Sequence, residues 1–265
     1  MPNIALQIEY NGTAYHGYQC QEGLATIQAC LEHAISKIAD EPIKVLGTGR
    51  TDAGVHATAQ IINFHTEAER TPRAWSVGVN SYLPRDIAVR QVWEVPETFH
   101  ARYSAINRSY RYVLNNHRLR GGLWSDHEVH YPVPLNHELM QQGADYLVGE
   151  HDFTALRDSQ CQARTTLRRV EYCRVSRQQE YIFLDIQANA FLHHMVRNTM
   201  GTLIVIGRGF QPPEWIPVLL NSKDRRLAGM TMPPQGLCLT GVNYKPPFTH
   251  LSTLALPLSP CITPR

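Results

Sequence analysis

The sequence has no Cys-x-x-Cys pair and no long apolar run. Its six cysteines are scattered over 265 residues, which disfavours a zinc ribbon or a dithiol redox site and favours free thiols. No stretch approaches the ~20 consecutive apolar residues that a membrane helix needs. The first ten residues also lack the basic-then-apolar pattern of a secretion signal. We therefore expect a cytoplasmic protein without a membrane contact.

Charge is also sparse and nearly balanced. Lysine and arginine number 25 and aspartate and glutamate 23, which gives a formal net charge of +2. So small an excess does not by itself indicate a polyanionic partner, so any nucleic-acid signal has to be local. The length and the 43% hydrophobic content are typical of a globular protein of one or two domains.

Periodicity predicts two α+β halves of similar build. In the first half, apolar spacing and turn signals predict a β-α-β-β-α-β order that resembles a split βαβ unit. The predicted strands are Ile4–Tyr10, Ile43–Leu46, Gln60–Thr66 and Ile87–Val95, and the predicted helices are Ile27–Ile38 and Ala74–Tyr82.

The second half repeats strands and helices without a visible sequence repeat. The predicted elements are strands Tyr110–Asn115, Val170–Val175, Tyr181–Ala188 and Leu237–Tyr244, and helices Glu138–Val148, Phe191–Ile206 and Pro213–Leu220. We predict domains at 1–104 and 105–245. Prolines crowd residues 246–265, so we expect a mobile tail there.

The most informative segment is the loop Gly49–His56, which joins two predicted strands. Asp52 lies between Gly49 and Gly54, with Arg50 two positions before it. Glycine permits unusual backbone angles and the close approach of a ligand. This arrangement is typical of a reactive carboxylate that is held ionised, and the alternative is a tight turn in which Asp52 caps backbone amides.

Familiar motifs do not explain this loop. Asp52 occupies the third glycine position of a dinucleotide loop, and Val55 stands where a phosphate-binding loop needs lysine. His65-Thr66-Glu67 has no Pro-Cys-x-x-Cys partner, as a zinc deaminase would require. His193 and His194 are adjacent on a predicted helix, where side chains point ~100° apart. We therefore expect no metal site.

Arginines alternate with aromatic residues in two stretches, 99–103 and 108–112, followed by His117, Arg118 and Arg120. Such interleaving suits phosphate contact and base stacking. A second basic run comprises Arg157, Arg164, Arg168 and Arg169. Either run alone fits a solvated basic face, whereas both together favour an RNA partner.

Arg197 is unusual because it lies within an apolar predicted helix. Such an arginine either reaches solvent or pairs with an acid. Gly201, four residues later, leaves room on the same face for a close neighbour. We predict that Arg197 pairs with Asp52 and keeps its carboxylate charged, and the alternative is a salt bridge that only fastens the two halves together.

Together these segments resemble the TruA family of tRNA pseudouridine synthases over nearly the whole chain up to Tyr244. The stretches that carry the resemblance are Tyr10–Gly12, Gly17–Gln19, Gly49–Ala57, Asn80, Leu83–Ile87, Phe99–Ala105, Tyr110–Tyr112, Phe191–Asn198 and Gly236–Leu239. Asn11 and Met232 depart from the usual family residues, and neither falls on the expected chemistry.

The resemblance implies an isomerase that needs no cofactor or metal. It implies conversion of uridine to pseudouridine at positions 38, 39 and 40 of the tRNA anticodon stem-loop, by a homodimer. It further implies an antiparallel sheet flanked by helices, with an active cleft between two ferredoxin-like halves.

The resemblance also assigns roles to residues. Asp52 is the expected nucleophile, or the base that acts at the sugar. Arg50 would help flip the uridine, Tyr110 would stack on it and help remove the C5 proton, and Arg197 would hold Asp52 ionised. Leu237 would pack against the uracil. The expected tRNA contacts are Phe99, His100, Ala101, Arg102, Tyr103, Gln160, Cys161, Gln162, Ala163 and Arg164.

Two other functions remain possible from the sequence. A non-catalytic RNA-binding protein could use the same scaffold. A uridine methyltransferase or deaminase would need a cofactor-binding glycine pattern or zinc ligands, and neither is found in the sequence.

Overall fold

The computed structural model describes residues 1–253 and divides the chain into two compact units. Of the described residues, unit 1 comprises Met1–Ile106 and those from Cys238 to Thr253, and unit 2 comprises Asn107–Leu237. The observed division lies close to the predicted one at residue 104. The last strand differs, because it pairs with a strand of unit 1 and belongs there from Cys238 onward.

Unit 1 is built on one sheet with two helical segments. Its strands, numbered in chain order, are β1 (Asn3–Tyr10), β2 (Leu46–Gly47), β3 (His56–His65), β4 (Ile87–Val95) and β10 (Leu237–Tyr244). Strand β1 lies between β3 and β4 and is antiparallel to both. Strand β10 is parallel to β3, and β2 pairs with β3.

The helices of unit 1 follow the predicted pattern. Helix α1 (Ile27–Ala39) buries Ile27, Leu31 and Ile35 on one face. It ends at Asp40, which has left-handed backbone angles and donates its N–H to the Ser36 carbonyl, a C-terminal cap. A π-helical turn, Ala74–Gly78, leads into the short helix α2 (Val79–Tyr82).

Unit 2 also combines strands with helices. Its strands are β5 (Ala105–Asn115), β6 (Val129–His130), β7 (Gly149–Asp152), β8 (Leu167–Gln178) and β9 (Tyr181–Ala188), and its helices are α3 (His137–Asp145), α4 (Met195–Gly207) and α5 (Trp215–Ser222). The order β5–β9–β8–β7 is antiparallel throughout. Strand β6 pairs with β5 in parallel.

The α+β class is confirmed, with two differences in pairing and extent. The strand pairing is mixed rather than wholly antiparallel, because β10 pairs with β3 and β6 with β5 in parallel. The short strands β6 and β7 were not predicted, since two to four residues carry too little alternation to be recognised.

Helix α4 begins later than the predicted Phe191. His194 precedes it with a φ of 60°, in the left-handed region, so a helix cannot pass through this residue. The helix is apolar on nearly all sides and buries eleven of its 13 residues. Helix α3 packs against it and against β8.

Residues 246–253, the first part of the segment expected to be mobile, make contacts with unit 1. Phe248 packs edge to face on Phe99 at 5.0 Å, and Leu251 is fully buried. The Thr253 N–H donates to the Val242 carbonyl, which ties the segment to β10. Residues 254–265, where the rest of that prediction falls, lie outside the described residues. No helix within residues 1–253 is long and apolar enough to span a membrane.

Candidate active site

The Asp loop, residues 48–55, connects β2 to β3 in unit 1. Asp52 is half-buried, whereas Arg50 is exposed. The Val55 N–H donates to the Asp52 carbonyl at 3.1 Å, which closes a tight turn around the carboxylate-bearing residue. The loop therefore presents Arg50 to solvent while Asp52 is partly shielded.

A second turn, residues 10–18, clamps the Asp loop through its backbone. The Tyr18 N–H donates to the Thr51 carbonyl at 3.0 Å, and the Gly54 N–H donates to the Tyr15 carbonyl at 3.3 Å. One side-chain bond joins the same segments, between Tyr10 Oη and Thr51 Oγ1 at 2.8 Å. Asp52 is thus bracketed by hydrogen bonds on both sides.

Two glycines make this close approach possible. A methyl group at Gly12 would overlap the Val55 carbonyl oxygen. Gly17 has a φ of +89°, and a methyl group there would lie 2.8 Å from the Thr51 carbonyl oxygen. Both positions therefore exclude side chains, one through contact and the other also through its backbone angle.

The remaining sides of the loop are fixed as well. Gln60, which is fully buried, donates from Nε2 to the Gly49 carbonyl at 2.8 Å. The Thr48 hydroxyl donates to the Ile61 carbonyl and lies 3.0 Å from the Tyr244 hydroxyl. Three strands of unit 1 therefore position the loop: β1 through Tyr10, β3 through Gln60 and Ile61, and β10 through Tyr244.

The segment Leu83–Ile87 holds the 10–18 turn in place through a side-chain hydrogen bond. The Tyr15 hydroxyl donates to Asp86 Oδ1 at 2.6 Å. Burial, followed by the hydrogen bond and the charge of Asp86, raises the pKa of Tyr15 well above its ordinary value. The phenol therefore remains protonated and able to donate, which keeps the 10–18 turn in place.

The five expected tRNA-contact residues of unit 1, residues 99–103, divide into anchors and exposed groups. Phe99 is buried against Tyr244, with ring centroids 5.3 Å apart. Ala101 is also buried, and its N–H donates to Asn63 Oδ1 while its carbonyl accepts from the Tyr244 hydroxyl. Phe99 and Ala101 therefore fix the segment rather than offer it to a ligand.

Of the other three residues, Arg102 and Tyr103 are exposed and His100 is half-buried. Tyr103 is 76% exposed, and the Arg102 guanidinium lies over its ring at 5.7 Å. His100 Nδ1 accepts from the N–H groups of Arg102 and Tyr103, so the Nδ1 atom is unprotonated. A cation and an aromatic face are thus presented together, which suits contact with a nucleic acid.

In unit 2, His193 and His194 do not lie on a helix, so the sequence argument against a shared metal-binding face fails. Their rings are 3.9 Å apart, and both Nδ1 atoms face Asp158, at 3.5 and 3.0 Å from its two carboxylate oxygens. Burial opposes ionisation of Asp158, but hydrogen bonds from Gln160 and His194 and the charges of both histidines lower its pKa. Asp158 was not singled out from sequence.

Arg197 is half-buried on α4, and its guanidinium is oriented by a backbone carbonyl. Its Nε donates to the Met232 carbonyl at 2.6 Å. The neighbour for which Gly201 leaves room is the segment Gly229–Met232, here called the 229–232 strip. A methyl group at Gly201 would overlap the Met230 carbonyl oxygen. Because the strip binds Arg197 through its backbone, the unusual side chain of Met232 does not disturb this contact.

Two tyrosines of β5 are held by different neighbours, and one of them contacts the residue that follows the strip. Tyr110 and Tyr112 point to one face of the strand, as residues two apart do. Tyr110 is buried edge to face against Phe191, with centroids 5.0 Å apart. The Tyr112 hydroxyl donates to the Pro233 carbonyl at 2.7 Å. Leu237, which is 6% exposed, is the last residue of unit 2.

The second basic run is not a uniform surface. Arg164 and Arg169 are exposed and Arg157 is half-buried, but Arg168 is buried and donates to the carbonyls of Thr165 and Leu167. Side chains alternate between the two faces of β8, and Arg168 is on the buried one. Arg168 is therefore not part of the predicted basic face.

The expected contact residues 160–164 follow Asp158 closely. The Gln160 N–H donates to Asp158 Oδ1, and the Cys161 N–H donates to the Asp158 carbonyl. Gln162 and Arg164 are exposed, and Cys161 and Ala163 are half-buried.

Comparison with known proteins gives a consistent result. The profile of the family described as tRNA pseudouridine synthase matches residues 6–104 and 144–245. "tRNA pseudouridine synthase A" of Pectobacterium atrosepticum is 52% identical over 92% of this chain and 87% of its own. The protein of the same name from Pseudoalteromonas atlantica is 50% identical over 92% and 93%. The Vibrio cholerae protein of that name is 49% identical over 98% of each chain.

Proposed function

The chain belongs to the TruA family of tRNA pseudouridine synthases, isomerases that convert uridine to pseudouridine in tRNA, and we propose that it acts at positions 38, 39 and 40 of the anticodon stem-loop. Asp52 is the proposed nucleophile. The observation that carries this proposal is the half-buried Asp52 at the tip of a loop held by backbone hydrogen bonds on both sides. A carboxylate fixed in this way needs no reorganisation before it reacts.

The reaction exchanges one glycosidic bond for another. The bond between N1 and C1′ breaks, the uracil rotates, and a bond forms between C5 and C1′. The C5 proton is lost to a base, and N1 gains a proton. We propose that Asp52 forms a transient covalent bond during this exchange, or acts as the base at the sugar, and that Tyr110 helps to remove the C5 proton.

The exposed position of Arg50 supports a role in flipping the base. A uridine in a stem cannot be reached until it leaves the stack. Because Arg50 is exposed and only two residues from Asp52, its guanidinium can enter the space that the uridine vacates. The buried Tyr110 and Leu237 are proposed to receive the uracil.

The pairing of Arg197 with Asp52 stays a prediction, because the two residues belong to different units. An adjacent guanidinium would lower the pKa of the carboxyl and keep the nucleophile charged. The Nε bond to Met232 supports a fixed orientation of Arg197, which such a role requires.

We further propose that Arg102, Tyr103 and the residues Gln160–Arg164 contact tRNA. Arg102, Tyr103 and Arg164 are exposed, which agrees with contacts to phosphates and bases. A homodimer, a cytoplasmic location and a reaction without cofactor or metal complete the proposal.

The proposal is tested with an unmodified tRNA transcript that carries uridine at 38, 39 and 40. Purified protein is added together with EDTA and without any cofactor, and pseudouridine is mapped to single nucleotides. We expect modification at these positions, and an Arg50→Ala variant should bind the tRNA but react far more slowly. Pseudouridine only outside the anticodon stem-loop, or activity that EDTA abolishes, would refute the proposed site or the metal-free reaction.

A further inference from the structure

Arg225 makes more structural contacts than its place in a short, charged segment suggests. It lies between Asp224 and Arg226 in a 3-10 turn after α5. Arg226 is 89% exposed at its side chain and pairs with Asp224. Arg225, in contrast, turns inward and is half-buried. The two neighbouring arginines therefore have different environments.

The guanidinium of Arg225 bridges α4 and the 229–232 strip. Its Nη1 donates to the Gly229 carbonyl at 2.8 Å. Its Nη2 donates to Asn198 Oδ1 at 2.9 Å and to Thr231 Oγ1 at 3.0 Å. A planar fork with donors at fixed angles can satisfy these three acceptors together, and an ammonium group cannot reproduce the arrangement.

Asn198 completes this network and is the residue directly after Arg197. It is fully buried. Its Oδ1 also accepts from the Thr231 hydroxyl at 2.6 Å, and its Nδ2 donates to the Leu156 carbonyl at 2.8 Å. The asparagine is therefore fixed at both ends of its amide, and Arg225 and Thr231 both donate to its Oδ1 atom.

The strip has little freedom between these bonds. The Gly229 N–H donates to Thr202 Oγ1, and a methyl group at Gly229 would overlap the backbone of Gly201. At the other end of the strip, the Met232 carbonyl accepts from Arg197 Nε. The Met232 N–H in turn donates to the Arg197 carbonyl at 3.4 Å. The position of the strip thus decides where the acceptor for Arg197 lies.

We propose that Arg225 is a positioning residue for the isomerisation: it holds the 229–232 strip against α4, so that the Met232 carbonyl orients the guanidinium of Arg197. The inference rests on the proposed function, in which Arg197 acts on the nucleophile. Arg225 itself touches neither substrate nor nucleophile in this scheme, and its effect reaches the reaction through Thr231, Met232 and Arg197.

The test compares Arg225→Lys with the matched change at the neighbouring residue, Arg226→Lys. Both keep the charge, but only the first removes a fork that bridges two elements. We expect Arg225→Lys to lower kcat on unmodified tRNA by about tenfold or more, because small displacements of a positioned group cost rate. We expect KM for tRNA to stay within about twofold, and Arg226→Lys to leave both constants unchanged.

Two variants of Thr231 test the same network with a smaller perturbation. Thr231→Val removes the hydroxyl that Arg225 and Asn198 share, whereas Thr231→Ser keeps it. We expect Thr231→Val to lower kcat and Thr231→Ser to restore it, at a temperature where thermal unfolding shows that all variants are folded. If Arg225→Lys fails to fold, this pair decides the question.

Several results would overturn the inference. In one, Arg225→Lys and Thr231→Val lower only the melting temperature while kcat stays at the wild-type value. In another, Arg226→Lys lowers kcat as much as Arg225→Lys does. Asp52→Asn is assayed in parallel, because activity in that variant refutes the proposed function itself. An inactive Asp52→Asn with a fully active Arg225→Lys refutes the inference alone.

Discussion

The Asp loop of unit 1 and the 229–232 strip of unit 2 are both fixed, but by different means. Backbone groups and two glycines hold the loop against the 10–18 turn, through bonds such as Tyr18 N–H to Thr51 and Gly54 N–H to Tyr15, and the side chains of Gln60 and Thr48 fix its other sides. Polar side chains hold the strip, chiefly the half-buried Arg225 and the fully buried Asn198. The same task of fixing a short segment has two chemical solutions in this chain.

The difference teaches which changes each segment tolerates. The contact between the loop and the 10–18 turn survives the loss of a single side chain such as the Tyr10 hydroxyl, because the N–H and carbonyl groups that form it remain. It fails where a side chain intrudes at a glycine. A strip held by side chains fails when one buried polar group is removed, because the partners of that group then lose their hydrogen bonds.

Gly12→Ala is expected to have the largest effect. The new methyl group would overlap the Val55 carbonyl oxygen, which is backbone and cannot move without the Asp loop. We expect destabilisation of about 3 kcal/mol, as in overpacked cores, and a loss of activity of about a hundredfold from displacement of Asp52. Chemical denaturation and single-turnover kinetics measure both.

Gly122→Ala is the matched control for this substitution. Nothing lies within 4 Å of the position that its methyl group would take. This variant should behave as wild type. If Gly12→Ala is equally silent, the close approach of the 10–18 turn does not fix the loop.

Asn198→Ala should come next and breaks the strip instead. It removes the acceptor of Arg225 and Thr231 and the donor to the Leu156 carbonyl, all at a fully buried position. We expect a loss of about 2–3 kcal/mol in the free energy of unfolding, since buried partners are left unsatisfied. Exposed Asn221→Ala is the control. Equal stability of the two variants would argue against a strip held by side chains.

Tyr10→Phe tests the Asp loop by removing a side-chain contact instead of a glycine. It deletes a side-chain bond between the 10–18 turn and the Asp loop, the one from Tyr10 Oη to Thr51 Oγ1 at 2.8 Å. We expect a loss of only about 1 kcal/mol, the value of one hydrogen bond, with kcat nearly unchanged because the backbone bonds remain. A tenfold fall in kcat would show that side chains matter in the loop as they do in the strip.

The smallest expected effect concerns pH and residues 99–103. Burial lowers the pKa of His100, and the positive charge of Arg102 adds to the effect. The unfolded chain, with an ordinary histidine pKa of about 6.5, therefore binds more protons than the native state as the pH falls. The stability that the neutral ring contributes is present above pH 6.5 and is lost as the pH falls through the lower native pKa.

His100→Asn should reduce this dependence, because asparagine keeps an acceptor but does not titrate. We expect the stability of this variant to change less between pH 7 and pH 5 than that of the wild type. The exposed His33→Asn is the control and should follow the wild type. An unchanged slope in His100→Asn would exclude His100 as its source.

Much of the fold could be predicted, where a local pattern decides the structure. The bounds of β4 and β10 agree with the predicted ones, because alternation and turn residues mark both ends. The start of α4 could not be predicted. The apolar spacing runs without a break from Phe191 into the helix, whereas the left-handed backbone of His194 prevents the helix from beginning before Met195. The prolines after Tyr244 likewise concealed the packing of Phe248 and Leu251.

The candidate site shows the same division. Asp52, Arg50 and Arg197 stand out because a charged residue among glycines or apolar residues is unusual in any sequence. Arg225 does not, since it lies in a charged segment, one of its partners is 27 residues away, and the other two lie in an irregular segment that sequence patterns do not describe. Arg168 misleads for the opposite reason, because an arginine on a strand can turn inward.

The most direct test of the central claim is the Asp52→Asn variant. It has nearly the shape of the wild-type residue but cannot act as a nucleophile or base. Unmodified tRNA is incubated with each protein, and pseudouridine formation and tRNA affinity are measured on the same samples. We predict no pseudouridine with the variant and an affinity within about threefold of wild type, well under the tenfold that 1.4 kcal/mol would cause. Pseudouridine formed at the wild-type rate would contradict a catalytic role of Asp52 and favour a non-catalytic RNA-binding function for this loop.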